Sequence, residues 1–143
     1  MRISDRGIAF IKSWERYRSR PYNDGYGYLT IGYGHLIDKD EEFDSITVPQ
    51  AHDILMKDIE SSEEDVDRLV TVPLNQNQHD AVVSFFFNVG AANILQGEHT
   101  LPDLNRGEYR KFADHLLSWR KSAGKVSRGL IRRRTAEREL FLS

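Results

Sequence analysis

The chain contains no cysteine, which excludes disulfide bonds and thiolate metal ligands. Its most apolar stretch, residues 81–92, is far shorter than the ~20 residues that span a bilayer. The N-terminus is charged and turns at once into a helical pattern, without the apolar segment of a secretory signal. The length of 143 residues, with 29% charged residues, is typical of one globular domain. We therefore expect a single domain over residues 1–143 that starts out in the cytoplasm.

The net charge is small, but the charged residues are unevenly distributed along the chain. The formal net charge is −2. Twelve Asp and Glu residues lie within residues 38–67, whereas eleven Lys and Arg residues lie within residues 106–138. A solvated surface explains both runs, although a basic run can also face an anionic polymer such as nucleic acid or a cell-wall polymer. No nucleic-acid-binding motif accompanies the basic run, so that partner is not favoured.

Helix start signals divide the chain into helical segments. A side chain able to cap a helix precedes each of the four most periodic segments, and the one at Thr47 forms a capping box with Gln50. The four caps are Ser4, Thr47, Asn75 and Ser127. The predicted helices cover residues 5–17, about five turns after Thr47, residues 76–87, about residues 100–105 and 108–119, and the C-terminal segment after Ser127. The third is apolar on most sides, so we expect it at the centre of the core.

Residues 21–34 are rich in turn residues and β-prone residues. The segment predicts a small antiparallel hairpin with Asp24–Gly25 at or near its turn. The fold class is therefore α+β, with a small N-terminal lobe that carries a hairpin or short antiparallel sheet. A long helix connects it to a larger helical C-terminal lobe. A cleft between two lobes is a common place for a ligand site.

Glu15 occupies an unusual position in the first helix. On a helical wheel it falls between Ile8 and Ile11, inside the apolar arc. Because an ionised carboxylate resists desolvation, such a group needs a basic partner or serves a chemical purpose such as general acid catalysis. The alternative is a frayed helix end where Glu15 reaches water or pairs structurally with an arginine.

Basic residues near the C-terminus offer partners for this carboxylate. The last helix, or the segment Lys125–Arg128, could contact a polymer, or one of these residues could brace Glu15. Arg134 and Arg138 lie among apolar residues of the last helix, which favours burial with acidic partners.

Asp24 alone has an ordinary explanation, because Asn-Asp-Gly is favoured in turns. Glu15 and Asp24 considered together are more informative than either residue alone. A helix end and an adjoining hairpin can hold two carboxyls a few ångströms apart, and glycosidases use two such carboxyls on either side of the scissile bond.

The spacing Glu15-x8-Asp24-x5-Thr30, followed by IGYGH, resembles the lysozymes of tailed bacteriophages, glycoside hydrolase family 24. The resemblance extends over nearly the whole chain. It includes VPLNQNQHDAVVSFFFNVG at residues 72–90, LNRGEY at 104–109 and GLIRRRTAERELFLS at 129–143. It implies a lysozyme-like fold with lobes of approximately residues 15–60 and of 1–14 plus 61–143.

The resemblance also implies roles for individual residues. Glu15 corresponds to the catalytic acid, Asp24 to a base or electrostatic stabiliser, and Thr30 to the residue whose hydroxyl positions the attacking water. Phe87 and Asn88 correspond to residues that line the substrate cleft. We group His35 with them, although we expect it to be structural and to pair with an acidic group near the hairpin.

The implied substrate is bacterial peptidoglycan, cut at the β-1,4 bond between N-acetylmuramic acid and N-acetylglucosamine for host cell lysis. Neither a metal nor an organic cofactor is expected, because two carboxyls suffice for this chemistry. The implied protein is a monomer that resides in the host cytoplasm and reaches the wall with the help of a separate holin-type membrane protein. Many such enzymes are strongly basic, so the net charge here departs from the pattern.

Three alternatives remain open at this stage. The first is a catalytically inactive peptidoglycan-binding module of the same fold. The second is a calcium site in DKDEEFD, residues 38–44, which lacks the glycine and glutamate positions of an EF-hand loop. The third is a nucleic-acid binder that uses the basic run at residues 120–138. Within the enzymatic interpretation, we favour inversion with Asp24 as base over a transglycosylase outcome.

Overall fold

A computed structural model describes residues 1–24 and 27–143. Two small antiparallel sheets accompany a predominantly helical chain. The elements, in chain order, are α1 (Asp5–Glu15), β1 (Arg18–Asn23), β2 (Leu29–Gly32), β3 (His35–Leu36), α2 (Val48–Leu69), α3 (Gln76–Val89), α4 (Ala91–Gln96), α5 (Thr100–Asn105), α6 (Tyr109–Leu116), β4 (Lys121–Ser122), β5 (Lys125–Val126) and α7 (Arg128–Leu142).

Helix α1 begins where the sequence predicts, but it ends earlier. The Ser4 hydroxyl accepts a hydrogen bond from the Gly7 N–H at 3.1 Å, as an N-cap does. The predicted end at residue 17 is wrong because Arg16 adopts a φ of 51°, which takes the backbone out of the helix. Glu15 is therefore the last helical residue, at the point where the chain turns toward the sheet.

Strands β1, β2 and β3 form an antiparallel sheet in that order, which confirms the predicted short sheet. Thr30 lies on the central strand, where it pairs with Tyr22 on one side and Leu36 on the other. The predicted turn at Asp24–Gly25 falls partly outside the described residues, because Gly25 and Tyr26 are not among them.

Helix α2 connects the sheet to the rest of the protein. The predicted capping box is present, with the Thr47 hydroxyl accepting from Gln50 N–H and the Gln50 side chain accepting from Thr47 N–H. Ala51, near the start of α2, packs in a small cluster with Ile31 and Ile46. Leu55, further along the same face, belongs to the main core. One helix thus contributes to both apolar clusters, as expected of the long connecting helix.

Helix α3 lies at the centre of the main core, as its composition predicts. Its residues from His79 to Phe86 are all buried, and α3 packs against α1, α2 and α7. It continues to Val89, two residues beyond the predicted end, and Gly90 with a φ of 87° ends it.

Three other features differ from the sequence prediction. Helix α6 covers Tyr109–Leu116 rather than residues 108–119. Helix α4 and the β4–β5 hairpin were not predicted. Among the described residues, no helix has the length and apolar character required to cross a membrane.

Candidate active site

A cleft of about 1190 Å³ brings together all six residues that the sequence analysis selected. The candidate catalytic and binding residues that line it are Glu15, Asp24, Thr30, His35, Phe87 and Asn88. They come from the end of α1, from the sheet and its loops, and from the last turn of α3. Residues that are up to 73 positions apart in the chain, Glu15 and Asn88, therefore face the same space.

Glu15 is held from behind by α7. Arg133 Nη1 donates to Glu15 Oε1 at 2.6 Å, and the two side chains are only 5% and 17% exposed, respectively. This contact explains how a carboxylate is tolerated on the apolar arc of α1, because its charge is paired with a guanidinium. The sequence left open whether basic residues near the C-terminus contact a polymer or brace Glu15, and the structure shows the second arrangement for Arg133.

Arg133 belongs to a buried polar network that extends across α3 and α7. Its Nε donates to Glu137 Oε2 at 3.3 Å, and the Ser84 hydroxyl donates to the same oxygen at 2.6 Å. Arg134 donates to both Glu137 and Asn88. When both glutamates are ionised, Glu15, Glu137 and the two arginines carry two charges of each sign, and the network connects two residues of the cleft, Glu15 and Asn88.

The two arginines that were expected to be buried differ in their exposure in the structure. Arg134 is fully buried with Glu137, as predicted. Arg138 has the expected acidic partner, the exposed Asp114 at 2.8 Å, but it is only half-buried, so the burial predicted for it is wrong. Sequence reasoning did not single out Arg133 or Glu137. Their spacing of four residues on α7 was the available signal, since side chains at that spacing share a helix face.

Gly34 allows the sheet to approach Glu15. Its φ is +76°, and a Cβ added there would overlap Glu15 Oε2 and lie 3.0 Å from Glu15 Cδ. The two oxygens of Glu15 thus have different neighbours. Oε1 is anchored to Arg133, and Oε2 lies against the backbone at Gly34. A side chain at position 34 would displace the carboxylate, so the glycine is required by close approach as well as by backbone conformation.

We expect Gly34→Ala to lower both stability and any activity that depends on Glu15. The positive φ costs about 1–2 kcal/mol for alanine, and a displacement of Glu15 by about 1 Å can reduce activity by about 10²-fold. Gly107→Ala is the matched control, because Gly107 has a φ of +77° but no atom within 4 Å of an added Cβ. It should show the stability loss alone. Equal activity loss in both variants would contradict the proposed role of the close approach.

Asp24 and Thr30 occupy different local environments in the cleft. Asp24 Oδ1 accepts from the Tyr28 N–H at 3.2 Å, so the hydrogen bonds expected of a turn aspartate are present across the β1–β2 loop. Thr30 is 3% exposed, and its Oγ1 has no hydrogen-bond partner among the described residues. A buried hydroxyl without a partner costs free energy, which a β-branched apolar residue would avoid. The hydroxyl thus retains hydrogen-bonding capacity beside the cleft.

A family model described as phage lysozyme matches residues 12–137. The chain belongs to the phage lysozyme family. It is 41% identical to the endolysin of Bacillus phage B103 and 40% identical to that of Salmonella phage P22, in each case over 100% of its own length. It spans 55% of the first relative, about half its length, and 99% of the second. The solved muramidase domain of SpmX from Asticaccaulis excentricus matches with a TM-score of 0.88 and 36% identity, over 99% of this chain and 98% of that one.

In this member of the phage lysozyme family, His35 joins three segments at the edge of the cleft. Its Nδ1 lies 2.8 Å from Asp58 Oδ2 on α2, and its Nε2 lies 3.0 Å from Glu41 Oε1 in the loop before α2. The expected pairing with an acidic group is confirmed. Burial of the imidazole favours its neutral form, but the hydrogen bonds to Asp58 and Glu41 outweigh burial and raise the pKa of His35.

Glu41, within the acidic run, makes contacts that stabilise the loop before α2. The Glu41 carboxylate accepts from the Asp38 N–H at 2.8 Å and pairs with His35, and these contacts lower the pKa of Glu41. Among residues 1–24 and 27–143, no group of three or more acidic or histidine side chains is placed to hold a metal ion.

The raised pKa of His35 predicts a loss of stability at alkaline pH. The charged imidazole pairs with two carboxylates in the folded state, so its stabilisation is complete below the ordinary histidine pKa of about 6.5 and disappears as pH rises through the raised value. Denaturant unfolding at pH 6 and pH 9 should show this decrease in wild type but not in His35→Gln. His99→Gln is the control, since His99 is 71% exposed, and it should keep the wild-type profile. An unchanged profile in His35→Gln would contradict this assignment.

Proposed function

We propose that this protein is a muramidase that hydrolyses the β-1,4 bond between N-acetylmuramic acid and N-acetylglucosamine in bacterial peptidoglycan. The observation that carries the proposal is the position of Glu15, whose carboxylate is fixed by Arg133 within a cleft also lined by Asp24 and Thr30. Membership of the phage lysozyme family supports it, and so do the relatives named endolysins and the structural neighbour named a muramidase domain.

The geometry suggests distinct roles for the two oxygens of Glu15. Oε1 is anchored to Arg133, so the proton of the acid form of Glu15 lies on Oε2 and passes from it to the glycosidic oxygen as the bond breaks, which leaves Glu15 as a carboxylate. Asp24 acts as the base for an attacking water, with inversion at the anomeric carbon. The Thr30 hydroxyl orients that water, since its hydrogen-bonding capacity is not used by any described residue.

Two further residues are proposed to bind the glycan, and His35 is proposed to support them. Asn88 is exposed, and its amide oxygen accepts from Arg134, which leaves its amide N–H groups for hydroxyl and N-acetyl groups of a sugar. Phe87, half-buried at the end of α3, offers an apolar surface to a sugar ring. His35 acts indirectly by holding the sheet wall of the cleft to α2.

The biological setting is proposed from the same family membership. The protein acts as a monomer, is made in the host cytoplasm and reaches the wall after a separate holin-type protein opens the membrane. Its net charge of −2 predicts weak electrostatic attraction to an anionic wall.

The proposed reaction can be tested with purified walls. Loss of turbidity should accompany release of fragments whose muramic acid ends are reducing, as identified by mass spectrometry. Anhydro ends would instead indicate a lytic transglycosylase. Binding to walls without any cleavage would indicate the inactive peptidoglycan-binding module and would overturn the proposal.

Thr30→Val should separate activity from stability. The substitution preserves shape and removes a buried hydroxyl that lacks a described partner, so unfolding free energy should stay the same or increase by up to about 1–3 kcal/mol. Wall hydrolysis should fall by about 10²-fold if the hydroxyl orients the water. Thr30→Ser, which keeps the hydroxyl, should retain most of the activity. Full activity in the valine variant would exclude Thr30 from the mechanism.

A further inference from the structure

Tyr22 lies on the cleft face of the sheet, beside two of the proposed active-site residues. It is directly opposite Thr30 in the register of β1 and β2, and both side chains line the cleft. Residues that oppose each other in an antiparallel pair have Cβ atoms about 4.5–5.5 Å apart on the same face of the sheet. The side chains of Tyr22 and Thr30 are therefore neighbours within the cleft.

Asp24 shares this face with Tyr22, because side chains two positions apart on a strand point to the same side of a sheet. The strand pairing extends beyond the end of β1, since the Asp24 N–H donates to the Tyr28 carbonyl at 3.0 Å. Asp24 also lines the cleft. Tyr22 is thus adjacent to the proposed base along its own strand and to the threonine hydroxyl across the sheet.

The Tyr22 ring is held in place by Arg18. The Arg18 guanidinium lies over the ring, 4.3 Å from its centroid, which is within the range of a cation–π contact. The Tyr22 hydroxyl makes no hydrogen bond with any other described residue, and the same is true of the Thr30 hydroxyl. Two neighbouring hydroxyls therefore keep their hydrogen-bonding capacity for a molecule in the cleft.

The Tyr22 phenol keeps its proton over the pH range in which a carboxylate base is ionised. Burial raises the pKa of Tyr22, and the charge of Glu15 raises it further. The charge of Arg18 lowers this pKa, whereas that of Asp24 adds to the increase. Both proposed catalytic carboxylates are therefore close enough to act on the phenol, and its hydroxyl remains a hydrogen-bond donor beside them.

We infer that Tyr22 is a further positioning residue, whose hydroxyl orients the same attacking water as Thr30. This inference rests on the proposed muramidase function. As the water oxygen bonds to the anomeric carbon, one of its protons passes to Asp24, while the leaving sugar oxygen takes the proton of Glu15. The phenol donates to the remaining lone pair of that water, and the Thr30 oxygen accepts a hydrogen bond from its second hydrogen. All four directions around the water are then occupied, which fixes its approach.

The test measures kcat and KM on soluble wall fragments, with new reducing ends as the readout. Tyr22→Phe should lower kcat about tenfold, the scale of one hydrogen bond, with KM unchanged because the hydroxyl contacts water rather than glycan. Its denaturant midpoint should match wild type, since the hydroxyl bonds to no described residue. Tyr109→Phe is the matched control. The Tyr109 hydroxyl donates to the Pro73 carbonyl at 2.7 Å outside the cleft, so this variant should lose stability and keep kcat.

A double substitution tests whether the two hydroxyls orient one water. Without Thr30 the water is no longer held in place, so Tyr22→Phe/Thr30→Val should lose no more than the hundredfold or so lost in Thr30→Val alone. A loss of about 10³-fold, the product of the single effects, would overturn the shared water. Full kcat in Tyr22→Phe would overturn it too, and so would a raised KM with kcat unchanged, which would place the hydroxyl against the glycan. Absence of cleavage by wild type would instead overturn the muramidase proposal.

Discussion

Glu15→Gln is expected to reduce the rate of wall hydrolysis by about 10²–10⁴-fold, the contribution of a well-placed general acid. Glutamine keeps an oxygen that accepts from Arg133, but it cannot donate a proton to the glycosidic oxygen. The fold should survive, since the charge-assisted bond to Arg133 becomes an ordinary one at a cost of about 1–2 kcal/mol. Hydrolysis is measured as turbidity loss, and folding as denaturant midpoint.

The control for this substitution is Glu98→Gln. Glu98 carries the same charge but is 88% exposed and lies outside the cleft. It should retain full activity. Glu15→Gln should also bind walls as tightly as wild type in a pelleting assay, because the cleft keeps its shape. Substantial hydrolysis by folded Glu15→Gln would exclude Glu15 as the acid and would leave the mechanism without its central residue.

Local signals in the sequence were sufficient for much of the fold. Side-chain caps at Ser4, Thr47, Asn75 and Ser127 are all present, because each depends on residues within three positions. Helix ends were less predictable. Arg16 ends α1 because its φ is positive. An arginine does not predict this conformation, since only glycine adopts that region without cost.

The candidate site could be predicted only in part, for a physical reason. Glu15 stood out because a helical wheel places it on an apolar arc, but its partner Arg133 lies 118 positions away. Several arginines on α7 were available, and the choice among them depends on how α7 packs on α3. Likewise, a short hairpin with Ala123 at a left-handed position lacks the Asn-Gly signal of such turns, so the β4–β5 hairpin was not predicted.

The buried network behind the cleft leads to the second large expected effect. Arg134 and Glu137 are both fully buried, and Glu137 also accepts from Arg133 and Ser84. Glu137→Met should destabilise the protein by about 3–5 kcal/mol, because it leaves Arg134 as a buried charge without its carboxylate. The melting temperature should fall by about 10 °C or more. Activity of the remaining folded enzyme should also decrease, since Arg133 loses one of the contacts that orient it toward Glu15.

A double substitution distinguishes loss of pairing from loss of packing. Arg134→Met/Glu137→Met removes both charges and fills the space with apolar side chains, so it should recover most of the stability lost in Glu137→Met. Glu139→Gln, at an exposed position of the same helix, should be neutral. If Glu137→Met alone unfolds at the wild-type denaturant concentration, then the pair contributes no net stability. If the double variant is no more stable than the single one, then Arg134 is held chiefly by Asn88 and the Trp119 carbonyl, which are its other hydrogen-bond acceptors.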